Sequence, residues 1–167
     1  MSPQGHGNSR IVTRQDGLIA GRDASSTPRH SVSVAGVVVR DDGRLLAIRQ
    51  ADNGTWELPG GVLEISETPE DGVRREVLEE TGLDVDVAEL TGVYKNVTLG
   101  VVALVFRCKA TGGAERTSDE TTAVQWLTPE EVSERMSEVY AIRLLDALDG
   151  HGPHVRSHDG RQPFPVR

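Results

Sequence analysis

The chain has 167 residues, with 26 acidic and 18 basic side chains and a formal net charge of −8. This length fits one domain with a real core, and the sequence contains no run of about 20 apolar residues such as a membrane span needs. The negative charge argues against nucleic-acid binding, because nonspecific affinity comes from Lys and Arg on phosphates. We therefore expect neither stable nucleic-acid binding nor a membrane partner.

The two ends of the chain differ from the middle. Residues 1–29 are rich in Gly, Ser, Arg and Asp and predict an N-terminal arm, whereas residues 149–167 predict a polar C-terminal tail punctuated by Gly and Pro. Residues 30–148 are predicted to form the folded domain. Short apolar patches in both ends would be costly to leave in water. We therefore expect the arms to pack on the domain or on a second copy, giving a homodimer.

Between the ends, strand and helix patterns alternate. A β-branched run at 31–39, a turn at 41–43 and a second apolar run at 44–49 predict a β-hairpin. Helices are predicted at about 69–81, over "TPEEVSERM" and over "EVYAIRLLDAL", and further strands at 85–98, 100–110 and 121–127. Hairpins mixed with helices predict an α/β fold, in which a mixed sheet carries helices on its faces.

The helix at about 69–81 has clear start and stop signals. Thr68 is suited to cap it, Pro69 suits its first position, and Gly82 suits its end. Asp71 stands three residues after Thr68, which predicts a capping box. The sequence therefore defines this helix from both ends.

Three glutamates crowd the same helix. Glu76, Glu79 and Glu80 have spacings that place them on one face. Like charges at such spacings destabilise a helix, and two of them lie in the last turn, where the helix dipole disfavours anions. Either they form a solvated acidic face or they hold a divalent cation, since Mg²⁺ prefers hard carboxylate oxygens.

A pattern of fixed residues surrounds these glutamates. The segment 61–83 fits G-x5-E-x7-R-E-U-x-E-E-x-G-U, where U is a bulky apolar residue, at Gly61, Glu67, Arg75, Glu76, Val77, Glu79, Glu80, Gly82 and Leu83. On these residues the chain resembles the Nudix hydrolase family over residues 31–148. The resemblance implies a Nudix-type α/β/α sandwich with a mixed β-sheet. It also implies a pyrophosphohydrolase that depends on Mg²⁺, with Mn²⁺ as a possible substitute.

The resemblance also implies roles for residues of this box. Glu76 and Glu80 would bind the metal, Glu79 would be a further ligand or a water-activating carboxylate, and the Gly60 carbonyl would be an extra ligand. Glu67 would assist at the metal or hold the loop.

The other roles lie beside the metal. Arg75 is expected to pair with a glutamate of the box and orient it, since its fork suits a carboxylate. Glu120, in a loop before a strand, is the candidate general base, with its neighbour Asp119 as the alternative. An exposed loop glutamate with no role is the other interpretation of Glu120.

Candidate substrate contacts lie outside the box. Arg49 ends a strand and would meet a phosphate, or else is a surface arginine. Trp56 and Trp126 would stack on a base, or else pack in the core. Cys108, the one cysteine, is expected to be a buried structural thiol, and the absence of a secretion signal predicts a cytoplasmic protein. Three histidines in the tail could suggest metal binding, but a polar tail is the preferred interpretation, because nothing places them on one face.

Three functions fit these residues. The first is hydrolysis of a nucleoside diphosphate linked to another moiety, such as a nucleotide sugar or an ADP-ribose-like compound. The second is a house-cleaning hydrolase of nucleoside triphosphates. The third, from another class, is a non-catalytic regulatory domain that binds a nucleotide, which the intact box disfavours. Markers that several Nudix subfamilies carry after the box are absent, so the substrate is not predicted.

Overall fold

Residues 26–166 are described by a computed structural model, which contains eight strands and three helices in that range. In chain order the elements are β1 (Ser31–Val38), β2 (Leu45–Gln50), β3 (Trp56–Glu57), β4 (Gly60–Val62), α1 (Pro69–Thr81), β5 (Leu83–Asn96), β6 (Val101–Gly113), β7 (Thr121–Leu127), α2 (Pro129–Arg135), α3 (Glu138–Asp146) and β8 (His154–His158). The predicted N-terminal arm lies almost entirely outside the described residues.

The strands form two sheets. One has five strands in the order β4-β1-β6-β5-β8, and the other has three strands in the order β3-β2-β7. Within the larger sheet β1 pairs parallel with β6 and β5 pairs parallel with β8, while its remaining pairs are antiparallel. A mixed sheet with helices confirms the predicted α/β fold, although the sequence did not indicate that the strands divide into two sheets.

Alternating residues of β1 separate two apolar cores. Ala35 and Val37 belong to a core that includes residues of α2 and α3, whereas Val34 and Val38 belong to a core that includes residues of α1. Because successive side chains of a strand point to opposite faces, β1 is covered on both sides. This burial explains why its sequence is continuously apolar. The thiol of Cys108 is buried in the second core, as predicted.

The prediction of a hairpin between β1 and β2 is wrong, although the turn between these two strands is present. Only one bridge, Val39 with Leu45, joins the two segments before they separate. Both edges of β1 are occupied by β4 and β6, and both edges of β2 by β3 and β7. β1 and β2 are adjacent in the chain and joined by a turn, but they lie in different sheets. Other strands occupy both edges of each, so the two cannot pair along their length.

Strand β8 lies within residues 149–167, so the interpretation of this whole segment as a polar tail is also wrong. This strand pairs in parallel with residues 92–96 of β5 and forms an edge of the larger sheet. His158, at its end, is buried. The pattern "HVRSH" carries little apolar signal, so the strand forms through tertiary pairing with β5 and not through propensity. Among residues 26–166 no helix combines the length and apolar character that crossing a bilayer would require.

Candidate functional site

Helix α1 begins and ends where its sequence predicts. The Thr68 side chain accepts a hydrogen bond from the Asp71 N–H, Pro69 is the first helical residue, and Gly82 ends the helix with a φ of 78°. The predicted capping box is only half formed, because the Asp71 carboxylate pairs with Arg74 at 2.9 Å. A defined start and end fix which residues of α1 face the sheets.

Two of the three crowded glutamates lie on the buried side of α1. Glu76 is 8% exposed and Glu80 is 4% exposed, and they continue the inward stripe that contains Gly72. The Glu79 side chain is 59% exposed and lies toward solvent. A solvated acidic face therefore does not describe Glu76 and Glu80, because a buried carboxylate needs compensation that water does not supply.

Arg75 joins α1 to the loop before it. Its Nε and Nη2 donate to the two carboxylate oxygens of Glu67 at 3.0 and 2.6 Å. Nη1 donates to Glu76 at 2.7 Å and to Glu79 at 3.4 Å, and Nη2 also donates to the Val62 carbonyl. Hydrogen bonds from Arg75 lower the pKa of Glu67 to about 2. This network fixes Glu67 and one oxygen of Glu76 in place.

Two glycines allow strand β4 to approach the buried glutamates. The Gly60 N–H donates to Oε2 of Glu80 at 2.9 Å. A Cβ on Gly61 would lie 2.5 Å from Oε1 of Glu76, closer than real contacts allow. A larger residue at Gly61 would displace the glutamate, which is the physical reason for glycine here. The Gly60 carbonyl as a metal ligand stays a prediction.

Glu80 has too little compensation for its charge. Burial raises its pKa to about 8, the Gly60 hydrogen bond opposes this rise, and the charges of Glu76, Glu120 and Glu57 add to it. The site therefore gathers negative charge around a carboxylate that is already difficult to ionise. A bound cation would reverse this effect, because an opposite charge favours the ionised form.

Glu76 shows the same tendency more weakly. Burial raises its pKa, Arg75 lowers it, and the charges of Glu79 and Glu120 raise it again. Arg75 thus donates hydrogen bonds to several carboxylates, and the site keeps an excess of negative charge. Hard carboxylate oxygens with excess charge are the donors that Mg²⁺ binds in proteins. The residues present therefore fit a divalent cation held by Glu76 and Glu80.

The loop before β7 brings Glu120 to the same region. Its backbone carbonyl accepts a hydrogen bond from the Ala51 N–H at 2.9 Å. The hydroxyl of the next residue, Thr121, donates to the Glu80 carbonyl at 3.0 Å and ties the loop to α1. The Glu120 side chain is exposed, and its charge acts on Glu80. Asp119 is also exposed and stays the alternative base.

Arg49 and Trp56 lie opposite one another on β2 and β3. The Arg49 side chain is exposed, and its Nε donates to the Gly54 carbonyl at 3.0 Å. Trp56 is half-buried and packs against a core, as does Trp126. Within residues 26–166 no hydrogen bond or ion pair joins Arg49 or Trp56 to a glutamate of the box. Their role in substrate binding stays a prediction.

Sequence reasoning missed Glu57. Its carboxylate accepts hydrogen bonds from Gln50 Nε2 at 3.3 Å and from Thr55 Oγ1 at 3.0 Å. The residue is half-buried, and its charge acts on Glu80. The available signal was an acidic residue inside the apolar "TWELP" segment, where a partner is required.

A second acidic cluster lies elsewhere in the described chain. Ligand-type atoms of Asp146, Asp149 and His154 all lie within 4.8 Å of one another. Asp146 is already paired, because Arg156 donates two hydrogen bonds of 2.7 Å and the Tyr94 hydroxyl donates one of 2.8 Å. This cluster therefore stabilises the junction of α3 and β8. His158, at the end of β8, lies apart from this cluster, and its Nε2 is 3.2 Å from Nη2 of Arg143.

The family model "NUDIX domain" matches residues 29–148. A MutT-like protein of Streptomyces ambofaciens is 78% identical over 145 residues, which cover 87% of this chain and 94% of that protein. A putative 8-oxo-dGTP diphosphatase of Bacillus subtilis is 31% identical over 56% of this chain and 63% of its own length. An ADP-ribose pyrophosphatase of Methanocaldococcus jannaschii is 34% identical over 58% and 60%. The chain therefore spans less than two thirds of these last two relatives.

Proposed function

This chain belongs to the NUDIX domain family and is a Nudix hydrolase, and from this premise we propose that it hydrolyses a pyrophosphate bond in a nucleoside diphosphate linked to another moiety. One observation carries the proposal. Glu76 and Glu80 are buried beside two glycines with less positive charge around them than they need. Such a site is suited to a divalent cation and, through it, to a diphosphate.

Two glutamates of α1 are the main ligands of the cation in this proposal. Glu76 and Glu80 hold Mg²⁺ or Mn²⁺, with the Gly60 carbonyl and Glu79 as further ligands. When bound, the cation neutralises the diphosphate and lowers the pKa of a water molecule. Arg75 keeps Glu67 and Glu76 in position through its hydrogen bonds.

The bond that breaks is a P–O–P link. The water oxygen forms a bond to one phosphorus, the bridging P–O bond breaks, and the leaving phosphate keeps the electron pair. Glu120 accepts the proton that the water loses, as its position beside Glu80 supports. Arg49 contacts a phosphate, and Trp56 stacks on the base.

A nucleoside triphosphate is the second candidate substrate. The Bacillus subtilis relative named for 8-oxo-dGTP favours it, whereas the Methanocaldococcus jannaschii relative named for ADP-ribose favours the first candidate. Both reactions use the same cation and the same carboxylates. They differ in the group that lies beyond the diphosphate.

A substrate panel tests the proposal. The full chain is incubated with Mg²⁺ and ADP-ribose, UDP-glucose or 8-oxo-dGTP, and the products are separated by chromatography. AMP or UMP with a sugar phosphate supports the first candidate, and pyrophosphate with a monophosphate supports the second. Glu70→Gln, an exposed residue of the same helix, is the control for Glu80→Gln. A parent chain that hydrolyses none of the panel with Mg²⁺ or Mn²⁺ contradicts both and favours a regulatory nucleotide-binding domain.

A further inference from the structure

The loop between β6 and β7, which carries Glu120, is attached to the C-terminal end of α1. The Arg116 N–H donates a hydrogen bond to the Thr81 carbonyl at 2.9 Å, and the Thr121 hydroxyl donates one to the Glu80 carbonyl at 3.0 Å. The last carbonyls of a helix have no partner inside the helix. The loop supplies partners for them, so moving it away from α1 would leave these carbonyls unpaired.

Three hydrogen bonds of this loop form a chain whose direction is fixed. Thr121 is 1% exposed. Because its hydroxyl proton is donated to the Glu80 carbonyl, its oxygen is the acceptor for Ser118 Oγ, 3.1 Å away. The Ser118 hydroxyl proton is thereby used, so Ser118 Oγ accepts from the Glu120 N–H at 3.2 Å. The chain therefore runs from the backbone N–H of Glu120, through two hydroxyl groups, to the backbone carbonyl of Glu80.

Glu120 is held at its carbonyl as well. The Ala51 N–H, just after β2, donates to that carbonyl at 2.9 Å. Both backbone groups of Glu120 are thus occupied although its side chain is exposed, and its orientation then depends on the side-chain torsions. Asp119 stands between Ser118 and Glu120 in the sequence but takes no part in this chain. The hydrogen bonds therefore fix the backbone of one acidic residue of the loop and bypass the other.

A helix cap alone does not require this chain. The bond from Thr121 to the Glu80 carbonyl completes the end of α1 whether or not Ser118 and Glu120 follow. The two further bonds connect that helix end to the residue proposed as the general base. A displacement of about 1 Å at a reacting group costs about a hundredfold in rate, so the position of this residue is what these bonds would protect.

We propose that Ser118 and Thr121 are positioning residues, whose hydroxyl groups hold the backbone of Glu120 at a fixed distance from the backbone of Glu80. Through this chain the general base keeps its place beside the metal ligand. The inference rests on the proposed function, and it favours Glu120 over Asp119 as the base.

Steady-state kinetics of the full chain with Mg²⁺ on ADP-ribose, UDP-glucose and 8-oxo-dGTP test this role. Ser118→Ala breaks the chain on the Glu120 side, and Thr121→Val breaks it at Glu80. Each should lower kcat about tenfold to a hundredfold, while KM stays within about twofold, since no substrate contact is removed. Thr121→Ser keeps the hydroxyl and should retain most of the activity. Thr117→Val, an exposed change in the same loop, is the matched control and should equal the parent.

A second comparison separates positioning of the base from a general effect on the fold. Ser118→Ala is combined with Glu120→Gln, which has no base left to position, and should then cause no further loss of kcat. The affinity of Ser118→Ala for Mn²⁺, measured by electron paramagnetic resonance, should equal that of the parent, because the change lies at the far end of the chain from Glu80. Melting temperatures in EDTA show that each variant is folded in the assay.

Several outcomes overturn the proposal. A folded Ser118→Ala with the kcat of the parent would show that the chain has no part in catalysis. An equal loss of kcat in the Glu120→Gln background would assign the effect to something other than the base. A weaker affinity for Mn²⁺ in Ser118→Ala would show that the chain serves the metal ligand instead. A parent that hydrolyses none of the three substrates contradicts the proposed function and this role together, whereas an active parent with unaffected variants overturns this role alone.

Discussion

Glu80 and Asp146 are both buried carboxylates, 4% and 7% exposed, but their surroundings differ. Asp146 accepts two hydrogen bonds from Arg156 and one from Tyr94. Glu80 accepts one from the Gly60 N–H, and the charges that act on it come from other glutamates. Asp146 is thus satisfied within the chain, whereas Glu80 needs a partner from outside. Burial alone does not mark a functional site, but buried charge without a counter-charge does.

The largest expected effect comes from removing the unsatisfied charge. Glu80→Gln should lower kcat more than about a hundredfold, since even residues that only support a metal ligand are worth tenfold to a hundredfold. Its melting temperature in EDTA at neutral pH should equal or exceed that of the parent, because the neutral amide, unlike Glu80, does not have to take up a proton to be buried. Steady-state kinetics and thermal unfolding measure the two effects. Full activity of the parent in excess EDTA would contradict the metal site.

Glu120→Gln should lower kcat by about 10²–10⁴-fold, the usual contribution of a general base. Substrate affinity should change little, because the residue is exposed and its loop is held by Thr121. Asp119→Asn is the matched control in the same loop. If Asp119→Asn is inactive while Glu120→Gln equals the parent, the base is the neighbouring residue.

Removing the ion-pair partner of Asp146 should have the opposite effect, with a loss of stability and little change in activity. Arg156→Met leaves Asp146 buried without its ion pair, which should lower the free energy of unfolding by about 3–5 kcal/mol. The kcat of the remaining folded protein should stay near that of the parent. Chemical denaturation and kinetics at low temperature test both. Arg161→Met, an exposed change nearby in sequence, should have no effect on either quantity.

A smaller effect should appear as a dependence of stability on pH. Burial raises the pKa of Glu80 from 4.5 to about 8, so the folded chain binds this proton more tightly than the unfolded chain does. In EDTA, this stabilisation is complete below pH 4.5 and is lost as the pH rises toward about 8. The melting temperature should therefore fall over this range in the parent and less in Glu80→Gln. Equal slopes for the two chains would rule out the raised pKa.

The smallest expected effect concerns association. Beside the paired Asp146, strand β8 leaves Val155 75% exposed at an edge of the sheet. The homodimer predicted from the terminal arms stays a prediction, and removing residues 1–25 tests it. The truncated chain should lose dimer mass in light scattering and keep metal-dependent hydrolysis. Equal mass and equal melting temperature before and after truncation would show that these residues are passive.

Local signals in the sequence were sufficient for α1 and for its glutamates. Thr68 and Gly82 define the helix through capping, which depends on neighbouring residues alone. The spacing of Glu76 and Glu80 then placed both carboxylates on one face. Their burial was not predictable, because a glutamate has the same helical pattern whether it faces solvent or a glycine of another strand.

Features that depend on distant residues could not be predicted in this way. Strand β3 has two residues, too few for a periodic pattern, so Glu57 gave little indication of its place. Strand β8 pairs with β5 across the whole of α2 and α3. Such a pairing is decided by which sheet edge is free once the other strands are in place. The buried contact of Arg143 with His158 likewise exists only because of that pairing.

The turn at residues 97–100 has a consequence for how the chain folds. It joins β5 and β6, and the Asn96 side chain accepts hydrogen bonds from the N–H groups of Thr98 and Leu99. The other pairings of the larger sheet join segments much farther apart in the chain. Closing long loops slows folding, because their entropy is lost before contacts form. We therefore expect the β5–β6 hairpin to form first and to act as the template on which β1 and β8 assemble from opposite sides.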